Sequence, residues 1–143
     1  MVSDARGLTS ALQLYATEVQ DLFGITCRFQ CDDSVLIHDT AVATNLYHIA
    51  QEAVNNTVKH AQAKNVHIRL FSGEREGALI IKDDGVGIPR PSSPHSGVGL
   101  HIMSYRAGMI GGNLEVRRGQ PHGTVVTCRF PITDVGRFEV QQP

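Results

Sequence analysis

Four residues on one short stretch could act together chemically: Glu52, Asn56, Lys59 and His60, in the run NLYHIAQEAVNNTVKHA from Asn45 to Ala61. Their spacing of three and four places them along one side of a helix, because residues that far apart are neighbours on its surface. The other side carries Leu46, Ile49, Ala50, Ala53, Val54 and Val58, a broad apolar face at helical spacing. A carboxylate, an amide and a cation in one row are unusual on a helix that is otherwise this apolar. Alone, the same row would also suit a solvated face with a surface ion pair. Two glycine-rich stretches downstream separate these readings.

The first is Asp83-x-Gly85-x-Gly87, where a strand pattern runs into a loop. Glycine there lets the backbone adopt positive φ and approach a ligand closely. A carboxylate at a strand end can accept a hydrogen bond from an exocyclic amine, such as the one on the N6 edge of adenine. The second is Gly97-Val98-Gly99-Leu100, at the expected start of a helix. Free N–H groups and the helix dipole favour a phosphate at such a point. Either pair alone is compatible with an ordinary turn. Neither is followed by Lys-Ser/Thr, which excludes an ordinary P-loop.

The elements that must position these residues follow from periodicity. Leu8, Leu12, Tyr15, Val19, Leu22 and Phe23 predict a helix over about 8–23, stopped by Gly24. Ile25, Cys27, Phe29 and Cys31 alternate with polar residues and predict a half-buried strand. Asp39 or Thr40 is the expected N-cap of the central helix. Val66 to Leu70 and Ala78 to Ile81 predict an antiparallel hairpin turning at 73–77. The run IPRPSSPHSGVG reads as neither helix nor strand. Helical spacing resumes from Leu100 to Ile110 and stops at Gly111-Gly112, and a last hairpin turns around Arg117 to Gly123. Interleaved helices and hairpins without regular βαβ units predict an α+β two-layer sandwich, a mixed and mostly antiparallel sheet on about three helices.

The chain of 143 residues is expected to form one domain, with 1–24 a connector helix and 132–143 a flexible tail. A formal net charge of -1 gives no basic footprint for nucleic acid. Apolar runs are too short to span a membrane, and the first residues lack a signal-peptide layout, so a cytoplasmic setting without membrane contact from this segment is expected. Cys27, Cys31 and Cys128 read as small apolar strand residues in a reducing compartment, because no second Cys or His pair completes a zinc set.

Taken together, Glu52-x-x-x-Asn56-x-x-Lys59-His60, Asp83-x-Gly85-x-Gly87, Gly97-x-Gly99-Leu100 and Gly123-Thr124 resemble the nucleotide-binding pattern of the GHKL superfamily. The resemblance covers roughly Leu8 to Pro131. It is nearest to the ATP-binding catalytic domain of bacterial sensor histidine kinases similar to nitrate- and lipid-responsive sensors. It implies a Bergerat ATP-binding fold with ATP and Mg²⁺ as ligands. Asn56 would hold the Mg²⁺ that bridges the phosphates, and Lys59 would contact phosphate. His60 would line the pocket. Asp83 would read the adenine amine, with Gly85 and Gly87 shaping the wall beside it. Gly97 and Gly99 would let a lid close ahead of Leu100, and Thr124 would lie near adenine. Glu52 matches the position that activates water in hydrolysing relatives, and in a kinase it would orient groups instead.

The resemblance also implies partners: a dimerisation domain carrying the phosphoacceptor histidine, a response regulator reached through that domain, and a homodimeric full-length protein. His38-Asp39 superficially fits a phosphoacceptor, but it falls in an expected loop, whereas an accepting histidine should lie on a rigid, exposed helix. The chain is therefore expected to bind Mg-ATP without phosphorylating itself. Two other classes share this pattern, an anti-sigma-type serine kinase and a nucleotide-sensing module without turnover. A clamp-type ATPase would need Glu52 as a base together with dimer-forming extensions.

Overall fold

The computed structural model describes residues 7–32, 37–86 and 94–132, with the backbone alone for residues 60, 61 and 94–98. Helix α1 (Gly7–Phe23) buries Leu8, Leu12, Ala16 and Val19, the residues at helical spacing that face the sheet. Gly24 ends it at φ +70, its N–H donating to the Gln20 carbonyl at 3.0 Å, the left-handed stop expected there. Strand β1 (Thr26–Cys31) follows with Cys27 buried and Phe29 half-buried on the side that meets the helices.

Helix α2 (Thr40–Asn56) starts at the expected cap: Asp39 Oδ1 accepts from the Ala41 N–H at 2.8 Å and the Val42 N–H at 3.3 Å. Its apolar stripe, including Leu46, Ile49, Ala50 and Val54, is buried. Beyond Asn56 the helix widens into a π turn (Thr57–Ala61), closed by Gln62 in the left-handed region at φ 54. Such turns are rare and recur at functional sites.

Strands β2 (Asn65–Ser72) and β3 (Glu76–Asp83) form the first hairpin, and β4 (Asn113–Arg118) and β5 (Thr124–Pro131) the second. The sheet order is β1-β2-β3-β5-β4, with β1 parallel to β2 and every other pair antiparallel. Asp83 and Thr124 are direct partners where β3 ends and β5 begins. One sheet face packs on the three helices, giving the expected α+β two-layer sandwich. By strand alternation the other face carries Arg28, His67, Arg69 and Lys82. Partial burial pushes the His67 imidazole below its ordinary pKa, and the charges of Arg69, Arg28 and Lys82 add to the effect.

Helix α3 (Pro94–Met109) corrects one expectation. It begins at Pro94 and not at Leu100, taking in the end of a run that reads as neither helix nor strand. Proline suits the first helical position, where its missing N–H had no partner to lose. Glycine inside a helix costs about 1 kcal/mol relative to alanine, and close packing of Gly99 on α2 overrides that local preference. Gly97 and Gly99 therefore lie inside the first two turns and not at the helix start. Of the two, Gly97 alone belongs to the first four residues, whose N–H groups lack helical acceptors. Gly111 at φ +74 ends α3, and the Gly112 N–H donates to the Ala107 carbonyl at 2.8 Å. The expected tail beyond residue 132 lies outside the described residues.

Candidate functional site

The end of α2, the end of β3, the start of β5 and the first turns of α3 converge on one place. Glu52 and Asn56, four apart on α2, both face Gly99 of α3. A Cβ added at Gly99 would sit 2.8 Å from Asn56 Nδ2, 3.0 Å from Glu52 Oε2 and 3.4 Å from Asn56 Oδ1. The amide and the carboxylate that periodicity places in one row thus converge on a single spot, the amide with its nitrogen nearer than its oxygen. Both are half-buried. Oxygen donors of this kind match a hard divalent cation such as Mg²⁺.

Asp83 is 6% exposed and lies beneath this row. Its Oδ2 accepts from the Thr57 hydroxyl at 2.8 Å, and its Oδ1 from the N–H groups of Gly85 at 2.9 Å and Thr124 at 3.3 Å. Thr57 follows Asn56 directly, so the π turn ties the carboxylate at the end of β3 to the oxygen-bearing row on α2. Gly123 makes this corner possible: at φ +94, a Cβ would fall 1.9 Å from the Asp83 carbonyl oxygen. Gly85 is buried beside Asp83, and Nδ1 of His122 lies 3.2 Å from the Gly85 carbonyl.

A neighbouring clip holds the loop in place. Asp84 Oδ1 accepts from the N–H groups of Lys64 and Asn65, each at 2.9 Å, and Oδ2 from Asn65 Nδ2 at 2.7 Å. These bonds, the Asn65 side chain's first among them, hold the Asp84 carboxyl down to a pKa of about 2. Farther along α2, buried Asn45 accepts from Arg106 of α3 at 3.1 Å and donates to the Ala41 carbonyl at 2.9 Å, so α3 is also fixed at its far end.

A protein-family model described as "Histidine kinase-, DNA gyrase B-, and HSP90-like ATPase" matches residues 41–134. The chain belongs to that family. Within the family, its sequence is 32% identical to the oxygen sensor histidine kinase NreB of Staphylococcus carnosus, over 92% of this chain and 38% of that protein. It is 30% identical to the nitrate/nitrite sensor protein NarX of Escherichia coli, over 87% of this chain and 21% of that protein. The chain thus spans little more than a third, or less, of these relatives. Among solved structures, the histidine kinase domain of the Erythrobacter litoralis EL346 blue-light activated kinase superposes with TM-score 0.73 and 25% identity, covering 95% of this chain and 66% of that one. The ATP binding domain of PrrB from Mycobacterium tuberculosis gives 0.71 at 20% identity, covering 88% and 94%. In fold, this is the ATP-binding domain of sensor histidine kinases.

Of the residues expected at the site, Glu52, Asn56, Asp83, Gly85, Gly99 and Thr124 come together. Leu100 is half-buried against the core, and Gly97 lies one turn away on α3. Lys59 is exposed on the π turn, and His60 shares that turn by its backbone. The side chain of His60 and all of Gly87 lie outside the described residues. The sequence reading missed Thr57. A signal for it existed: a hydroxyl on the buried stripe, four residues after Ala53.

Proposed function

We propose that this chain binds Mg-ATP and serves as the catalytic domain of a two-component sensor histidine kinase, directing the γ-phosphate to a histidine on a separate dimerisation domain. One observation carries the reading: the buried Asp83 carboxylate accepts from Thr57, the residue next to Asn56, and Asn56 and Glu52 meet at Gly99, so a carboxylate suited to a base amine adjoins a row suited to a cation. Asp83 accepts from the adenine amine, with Thr124 beside it. Asn56 offers its oxygen to the cation, and Glu52 orients the groups or water nearby. Lys59, exposed on the π turn, supplies a positive charge for the phosphates, and Gly85 shapes the pocket wall. Gly97 and Gly99, ahead of Leu100, give the covering helix a surface without side chains.

Phosphoryl transfer spreads charge over the γ-phosphate oxygens, so the protein contributes position and charge stabilisation. Bound magnesium supplies charge neutralisation there. His38, the candidate acceptor in the sequence, is exposed and precedes the cap of α2 instead of lying on a helix. The exposed Ile102, Tyr105 and Met109 on α3 offer an apolar stripe for the domain that carries the acceptor. A response regulator receives the phosphate from that domain, and the full protein is a homodimer. Among the described residues no helix is long and apolar enough to cross a membrane.

Titration calorimetry with ATP and magnesium tests the binding step. Heat of association that is lost in Asp83→Asn and in Asn56→Ala supports it. Binding by Asp83→Asn equal to that of the parent sinks it. Incubation with γ-labelled ATP should leave the chain unlabelled, and an acid-labile phosphohistidine on it would contradict the proposed division of labour.

A further inference from the structure

A carboxylate has about four lone-pair positions. At Asp83 donors among the described residues occupy three of them: the Gly85 and Thr124 N–H groups on Oδ1, and the Thr57 hydroxyl on Oδ2. The Thr57 hydroxyl has one proton and two acceptors in reach, Asp83 Oδ2 at 2.8 Å and the Ala53 carbonyl at 3.1 Å. That carbonyl already accepts from the Thr57 backbone N–H, and the ionised oxygen is the stronger acceptor, so the proton goes to Asp83. Counted over the described residues, one acceptor position is left, and it is on Oδ2.

We propose that Thr57 is the positioning residue that sets purine selectivity, its hydroxyl orienting the Asp83 carboxylate so that the last free acceptor on Oδ2 meets a 6-amino group and repels a 6-oxo group. The inference rests on the ATP-site reading and goes beyond it, because Thr57 is not in the row of Glu52, Asn56, Lys59 and His60. Three features of the site support it. Thr57 is 4% exposed and opens the π turn, where neighbouring packing fixes its side chain. Among the described residues no cation pairs with Asp83, so neutral donors alone hold the carboxylate in place. Without Thr57 the two bonds to Oδ1 remain, but the plane of the carboxylate is free to turn about them. Oδ2 would then offer two loosely aimed lone pairs in place of one fixed acceptor. Discrimination against the wrong base depends on such a fixed repulsive contact as much as on the attractive one.

The test compares ATP with inosine triphosphate, whose base has oxygen at position 6 and a protonated ring nitrogen beside it. Each competes with a fluorescent ATP analogue on the folded chain in the presence of magnesium. Thr57→Val keeps the shape and removes the hydroxyl, Thr57→Ala removes both, and Thr57→Ser keeps the hydroxyl. Melting curves report the folded fraction of each. Loss of a hydrogen bond to a charged group predicts about tenfold weaker ATP binding in the Val and Ala variants. Inosine triphosphate should bind them as it binds the parent, and the Ser variant should retain the parent's preference. Equal weakening for both nucleotides would mean general damage to the pocket and would overturn the proposal. So would a folded Val variant with unchanged ATP affinity. Asp83→Asn separates the two levels. If it abolishes ATP binding while Thr57→Val does not, only the role of Thr57 fails. If it binds ATP like the parent, the ATP-site reading fails and this inference fails with it.

Discussion

Replacing Gly99 with alanine sets two effects of opposite sign against each other. Alanine is favoured over glycine inside a helix by about 1 kcal/mol, and Gly99 is in the second turn of α3. The new methyl would meet Asn56 Nδ2 at 2.8 Å and Glu52 Oε2 at 3.0 Å, so both groups must retreat by a few tenths of an ångström. These atoms are the ends of side chains, and their retreat costs the fold little. Stability should therefore stay level or rise by up to about 1 kcal/mol, which is about 2–4 °C in melting temperature. Binding has the other sign. The groups displaced are the ones assigned to the cation and its surroundings, and small misplacements at such sites are expensive. About tenfold weaker Mg-ATP binding is expected, the equivalent of about 1.4 kcal/mol. Scanning calorimetry and ligand titration on the same preparation read both quantities. A higher melting temperature with unchanged affinity would refute the placement of the cation at Asn56 with Glu52 beside it. A fall in stability of more than about 1 kcal/mol would refute the packing argument.

Other perturbations have equally definite outcomes. The Asp84 carboxyl is held at about 2, below the 3.8 it has without partners, so its contribution is full above the higher value and is lost as pH falls towards the lower one. Acid unfolding followed by circular dichroism should show a shallower decline between those values in Asp84→Asn. The difference at neutral pH should be under about 1 kcal/mol, because the group is partly solvated. Gly123→Ala would drive a methyl into the Asp83 carbonyl at a left-handed φ, and little folded protein should be recovered at any temperature. Asp39→Ala removes the cap of α2 and should cost about 1 kcal/mol by denaturant titration without changing nucleotide affinity.

Alternation of apolar and polar residues made β1 and β2 legible, and a short apolar run made β3 so, because each has a buried face: Cys27, Val66, Ile68, Leu79 and Ile81 all point to the helices. The cap at Asp39 and the stop at Gly24 were legible for a similar reason, since each satisfies its helix end with its own local chemistry. The row of Glu52 and Asn56 followed from simple helical spacing. Two features did not follow. The start of α3 is set by contact between Gly99 and α2, and local preference at two glycines points the other way. The π turn leaves no mark on hydrophobic periodicity, so the alignment of Thr57 with Asp83 depended on a partner 26 positions away in the chain. Lys59 lies on that turn, beyond the regular helix that the spacing argument assumed.

The stretch recognised by the family model starts at residue 41, whereas α1 and β1 precede it. Leu8 and Leu12 of α1 are at most 1% exposed, and β1 covers one whole flank of β2. A protein trimmed to the recognised stretch would open a greasy trench over the sheet and turn an interior strand into a bare rim, ready to stick to its own copies. Any displacement of α1 itself would likewise be passed on to the sheet through the seated Leu8, Leu12, Ala16 and Val19.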